Sequence, residues 1–180
     1  ITAYAAMIDL YTEPGTPVVL MTPAYMPFFR VPPLRGREIR EVALLRTADG
    51  WEIDEPALEA ALSGGALLVL CNPHNPVGKV YSRTELETVS RIAERTWSRV
   101  FADEIHAPQV LAGARFIPYL SVPGAENALW PVSHRFADLD DVLAEPSLKL
   151  VVKHPDPTLA PEQMLEVARG LANYASSDAR

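Results

Sequence analysis

Two short polar segments hold the residues best suited to chemistry. One is Asn72-Pro73-His74-Asn75-Pro76-Val77-Gly78, and the other is Asp103-Glu104-Ile105-His106, with Asp103 lying 28 residues after Asn75. A carboxylate at the end of an apolar run, as Asp103 is, can hold a cation such as a protonated ring nitrogen. An ion pair in a partly dry site keeps both partners charged. Asn75 offers a donor and an acceptor from a loop stiffened by Pro73 and Pro76. Gly78 lets that loop turn back sharply. A third candidate is Tyr25, which follows Thr22-Pro23-Ala24 and presents a ring able to stack on a planar ligand. His106 completes the set, three residues beyond Asp103.

Taken alone, each has a plainer reading. Asp103 also suits an N-cap or a loop carboxylate. Asn75 suits an Asx turn, and Tyr25 a core or surface aromatic. His74 and His106 suit ordinary hydrogen-bonded loop histidines, and neither has partners at metal-ligand spacing.

The elements that position these residues can be read from apolar runs. Leu67 to Leu70 leads into the first segment and Val100 to Ala102 into the second. Short apolar runs that stop at turn residues read as buried parallel strands. Polar groups at strand C-termini are where open α/β sheets bind ligands. Upstream, residues 3 to 11 have helical spacing, and Val18 to Met21 reads as a strand. Tyr25 to Phe29 predicts a short helix broken before Pro32-Pro33. Residues 38 to 45 predict a strand, and Asp49-Gly50 a turn. Asp54 reads as the N-cap of a helix running to Leu62. Ser82 or Thr84 caps the next helix, whose apolar face is Leu86, Val89, Ile92 and Ala93. Alternating strands and helices predict an α/β fold, a mostly parallel sheet flanked by helices. After Val122 the character changes: Leu148 to Val152 predicts a strand, and a helix is expected from Thr158 to about Tyr174.

Composition narrows the function classes. Hydrophobic residues make up 48% of the 180, enough for one domain with a core. A net charge of −7 argues against a nucleic-acid partner held through its phosphates. No apolar stretch reaches the roughly 18 residues that span a bilayer, so no membrane association is expected. The single cysteine, Cys71, fits a buried thiol in a reducing, cytoplasmic setting. The chain opens on Ile1-Thr2-Ala3 rather than Met, which suggests a piece of something longer.

The combination is far more specific than its parts. Thr22-Pro23-Ala24-Tyr25, Asn72 to Val80, Asp103 to His106 and Ile117-Pro118-Tyr119 occur in this order. Together they resemble the large domain of fold type I pyridoxal-phosphate enzymes. Among these the chain is most similar to the cystathionine β-lyase branch of the class I/II aminotransferases. The resemblance covers residues 1 to 128, an expected partial large domain; residues 129–180 are expected to form a divergent tail with a small α/β segment. It implies pyridoxal 5′-phosphate as cofactor, an amino-acid substrate, and a homodimer whose sites borrow residues across the interface. Tyr25 matches the residue that stacks on the pyridine ring, and Asn75 the one that hydrogen-bonds the phenolic oxygen. Asp103 matches the carboxylate that binds the protonated pyridine nitrogen, and His106 falls where relatives carry Tyr or His near the cofactor.

The same resemblance implies a Schiff-base lysine, and no residue of this chain takes that catalytic role. Lys79, Lys149 and Lys153 are its lysines, and none lies in a Ser-x-Ser-Lys-like segment. At the family's distance from Asp103 stands Val132-Ser133-His134-Arg135-Phe136, with His134 expected at the lysine position, or Phe136 if the register slips by two. The family's phosphate-binding turn would precede Ile1. The chain is therefore expected to be inactive alone, or to be a non-catalytic remnant or interaction module that keeps part of the cofactor pocket.

Overall fold

The computed structural model describes residues 1–125. The strand expected at 148–152, the helix expected at 158–174 and His134 lie outside the described residues.

Four strands form one parallel sheet: β1 (Val18–Thr22), β2 (Ile39–Ala43), β5 (Leu67–Cys71) and β6 (Arg99–Asp103), in the order β2-β1-β5-β6. All five residues of β5 are buried, as a strand covered on both faces requires. Alternation divides the core in two. Val18, Leu20, Leu67, Val69, Cys71 and Phe101 pack with Tyr4, Met7 and Ile8 of α1 (Thr2–Tyr11) and Phe28 of α2 (Pro27–Leu34). Val19, Met21, Leu68, Leu70, Val100 and Ala102 face the other way. They pack on α3 (Glu55–Leu62) and α4 (Arg83–Arg95) through Leu58, Leu62, Leu86, Val89 and Ile92.

Strand order places the site. The chain leaves β1 to one side for β2, then returns to the other side for β5 and β6. The loops after β1 and β5 therefore diverge, which opens a crevice at the C-terminal edge. Tyr25 and Asn75 lie on those two loops, and Asp103 ends β6.

The predicted caps form. The Asp54 side chain accepts a hydrogen bond from the Ala57 amide at 3.0 Å. Of the two cap candidates for α4, Ser82 serves: it closes a capping box with Glu85. Arg37 is buried and donates to the carbonyls of Ile8 and Thr12, setting a cation at the negative end of α1.

Two expectations are corrected. The helix expected to break before Pro32-Pro33 instead starts at Pro27 and runs through both prolines. Pro32 cannot donate to the Phe28 carbonyl four residues back. That carbonyl accepts instead from the Tyr4 hydroxyl at 3.3 Å, which offsets the loss. The strand expected over 38–45 ends at Ala43. The chain then forms an antiparallel hairpin, β3 (Leu45–Thr47) with β4 (Gly50–Glu52), around a turn at Ala48-Asp49, one residue before the expected Asp49-Gly50.

Candidate functional site

Three strand ends build the site. Cys71 and Asp103 are register partners at the ends of β5 and β6. One residue on, the Asn72 amide donates to the Asp103 carbonyl at 2.9 Å. Asn72 is fully buried, so its side chain must find partners inside the protein. Its Oδ1 accepts from the Tyr81 amide at 3.2 Å, and its Nδ2 donates to the Ile117 carbonyl at 3.3 Å. A single amide thus ties the end of β5 to the return of its own loop and to the segment after β6.

The Asn75 loop is closed by its own backbone. The His74 amide donates to the Lys79 carbonyl at 2.8 Å, and the Gly78 amide to the His74 carbonyl at 2.7 Å. Gly78 holds φ +71, the left-handed region that glycine adopts without strain. His74 is buried at the base of this loop. Its Nε2 lies 2.9 Å from the Pro23 carbonyl, and its Nδ1 2.9 Å from the Tyr81 hydroxyl. Burial, aided by Lys79 and outweighing the carbonyls beside it, holds the imidazole below its ordinary pKa.

Asp103 is half-buried, and its Oδ1 accepts from the Ile105 amide at 3.2 Å. Among the described residues it makes no ion pair. The neighbouring Cys71 thiol donates to the Pro73 carbonyl at 3.3 Å. Burial pushes this thiol up to about 12; the Asp103 charge adds to that rise, and the Asn75 backbone opposes it. Glu104 turns inward, and its Oε1 accepts from the Tyr119 amide at 2.7 Å, which docks the Ile117-Pro118-Tyr119 segment.

Tyr25 is 42% exposed and sits edge-on to Phe28, with centroids 5.6 Å apart. Phe28 in turn meets Tyr4, which stacks on Phe101 of β6. An aromatic ladder therefore carries Tyr25 from the strand that ends in Asp103. His106 stands apart from this group. Its Nδ1 lies 3.1 Å from Gln109 Oε1, at the start of a 3-10 turn over Ala107–Gln109.

These residues fit a flat, cationic heteroaromatic ring. Asp103 has carboxylate capacity without a cation, and Tyr25 has an exposed ring. Among the described residues the Asn75 side chain makes no hydrogen bond, so its donor and acceptor remain for a ligand. The lysine of the same loop does not join them. Lys79 Nζ pairs with Glu85 at 2.7 Å and lies 5.1 Å from the Tyr81 ring centroid. Burial raises the Glu85 pKa, but hydrogen bonds from Lys79 and Ser82 outweigh it and hold the carboxyl below its ordinary value.

Sequence reasoning passed over Asn72, Glu104 and Tyr81, and treated His74 as an ordinary loop histidine. One signal was present: Asn72 directly follows a wholly apolar strand, where a polar side chain needs internal partners.

A parallel sheet flanked by helices, with polar groups gathered at its C-terminal edge, defines a doubly wound α/β class of domain. The family described as aminotransferase class I and II matches residues 2–133, and the chain belongs to that family. A Mycobacterium leprae protein is 46% identical over 131 residues, which are 68% of this chain and 32% of that protein. Cystathionine beta-lyase PatB of Bacillus subtilis is 34% identical over 149 residues, 82% of this chain and 36% of PatB. The chain thus spans about a third of the length of the curated relatives it matches. Cystalysin from Treponema denticola, whose crystal structure contains pyridoxal 5′-phosphate, superposes with a TM-score of 0.67 at 23% identity. That match covers 96% of this chain and 43% of cystalysin, and it shows the fold. Among the described residues no helix is long and apolar enough to cross a membrane.

Proposed function

We propose that residues 1–128 carry the ring-binding half of a pyridoxal 5′-phosphate site, in a chain related to the carbon–sulfur β-lyases that cleave cystathionine-like amino acids. The observation that carries this reading is the placement of Tyr25, Asn75 and Asp103 at the C-terminal ends of three adjacent strands, β1, β5 and β6. Asp103 holds the proton on the pyridine nitrogen, because its charge stabilises the cationic ring. Asn75 donates to the phenolic oxygen, and Tyr25 covers one face of the ring and keeps water from it. His106 stands apart from these three, and its proposed part in the site is left to Nε2, the ring nitrogen not held by Gln109. When bound, the cofactor supplies an electron-poor ring that accepts the electron pair left on the substrate Cα.

The chain alone is proposed to stop at binding. A β-lyase or aminotransferase needs a lysine amine for covalent attachment and for moving the Cα proton. Lys79 is held by Glu85, and His134 is proposed to stand where the family has its lysine. An imidazole forms no imine with an aldehyde. By itself the chain is therefore proposed to be a non-catalytic relative, with residues 129–180 a tail whose sequence diverges from the family. A homodimer in the cytoplasm, in a family whose members act on amino acids, completes the proposal.

The test is a visible spectrum with added pyridoxal 5′-phosphate, before and after borohydride, followed by peptide mapping. Reversible binding with no reduced lysine adduct is expected, together with no cystathionine cleavage. A reducible band mapped to Lys149 or Lys153, with turnover, would overturn the non-catalytic reading.

A further inference from the structure

We propose that His74 is a positioning residue, whose ring clamps the loop carrying Tyr25 to the loop carrying Asn75. Its ring makes two hydrogen bonds. A carbonyl oxygen only accepts, so the contact with Pro23 at 2.9 Å assigns the proton to Nε2. Nδ1 is then a lone pair, and the Tyr81 hydroxyl at 2.9 Å donates to it. One neutral tautomer satisfies both ring nitrogens, and the ring is only 2% exposed. Tyr81 is itself fully buried, its ring 76° from the imidazole plane and its amide bound to Asn72.

Each end of the clamp is anchored. On one side, the His74 backbone both donates and accepts within its own loop, to Lys79 and from Gly78. On the other side, the Thr22 carbonyl accepts from the Leu44 amide at 2.8 Å, which fixes the chain just before Pro23. Asn75 is the next residue after His74, and Tyr25 is two residues after Pro23. The bond between His74 and Pro23 therefore sets the spacing between the stacking ring and the amide. A side chain that only filled core volume, such as phenylalanine, would make neither bond. Pre-set spacing matters because ordering two loops at the moment of binding subtracts from affinity.

The inference rests on the cofactor-site reading, and the experiment separates the two. Backbone order parameters by nitrogen NMR are measured for the chain without cofactor, for His74→Phe and for Tyr81→Phe. His74→Phe keeps the volume and removes both bonds. Order parameters at Ala24, Tyr25, Asn75 and Val77 are expected to fall together, from about 0.85 to below about 0.6, while Leu67 to Leu70 stay rigid. Affinity for pyridoxal 5′-phosphate is expected to fall about tenfold. His74→Gln, which can still donate to the Pro23 carbonyl, is expected to restore part of both.

Rigid Ala24 and Tyr25 in His74→Phe would overturn the clamp. If His74→Phe does not fold, Tyr81→Phe decides. Loss of the single Nε2-protonated tautomer together with loosening at Ala24 and Tyr25 supports the clamp, and unchanged loops refute it. If the unsubstituted chain takes up no cofactor, the cofactor reading fails while the loop measurements still decide the clamp.

Discussion

Cys71 and Asp103 are register partners on adjacent parallel strands, and the thiol lies close enough to feel the carboxylate. Burial is the larger cause of the raised thiol pKa, about 12 against an ordinary 9.0. Only the thiolate reacts with alkylating agents. At pH 8 the native chain is expected to react about a thousandfold more slowly with iodoacetamide than the same chain in denaturant. Alkylation at comparable rates in the two states would show that the end of β5 is open to solvent.

The depressed pKa of His74 makes a signed prediction about stability. Its folded value lies below the ordinary 6.5, so between the two values the unfolded chain binds more protons. The stability this group contributes is complete above about pH 6.5 and is lost as pH falls through the folded value. Urea unfolding of the native chain should therefore weaken on acidification more steeply than unfolding of His74→Gln. Parallel pH dependence in the two proteins would mean that His74 is not held neutral.

Asn72 is the residue whose removal should do most damage for its size. Asn72→Ala strands the buried Tyr81 amide and loses the bond to the Ile117 carbonyl. An unsatisfied buried donor costs about 1–3 kcal/mol, so a total loss of about 2–4 kcal/mol is expected in denaturant unfolding. Loosening of residues 117 to 119 should accompany it, seen as faster amide exchange there. A loss below about 0.5 kcal/mol would mean that water replaces both partners.

Much of this fold is written in local patterns. The apolar runs of β5 and β6 carry their own assignment, while the cap of α4 was open between Ser82 and Thr84 until the reciprocal bonds of Ser82 and Glu85 decided it. The placement of the candidate site residues could be read from the same runs, since Asn75 and Tyr25 lie just beyond strand ends and Asp103 closes a strand. What escaped local reading depends on distant partners. The helix through Pro32 is supported by a hydroxyl from Tyr4, on another helix. The hairpin of Leu45–Thr47 and Gly50–Glu52 has strands too short to show a period. His74 meets the Pro23 carbonyl across 51 residues of sequence, a contact no spacing rule anticipates.

Asp103, with Asn75 and Tyr25, is proposed to recognise a protonated pyridine ring without help from a lysine. Pyridoxine 5′-phosphate tests it most directly, because it keeps the ring nitrogen and phenolic oxygen but has no aldehyde to form an imine. Its equilibrium affinity should be measured for the native chain and for Asp103→Asn. Saturable binding by the native chain, weakened about ten- to hundredfold by the substitution, is the expected result. Equal affinity in the two proteins, or no binding by the native chain, would contradict the account.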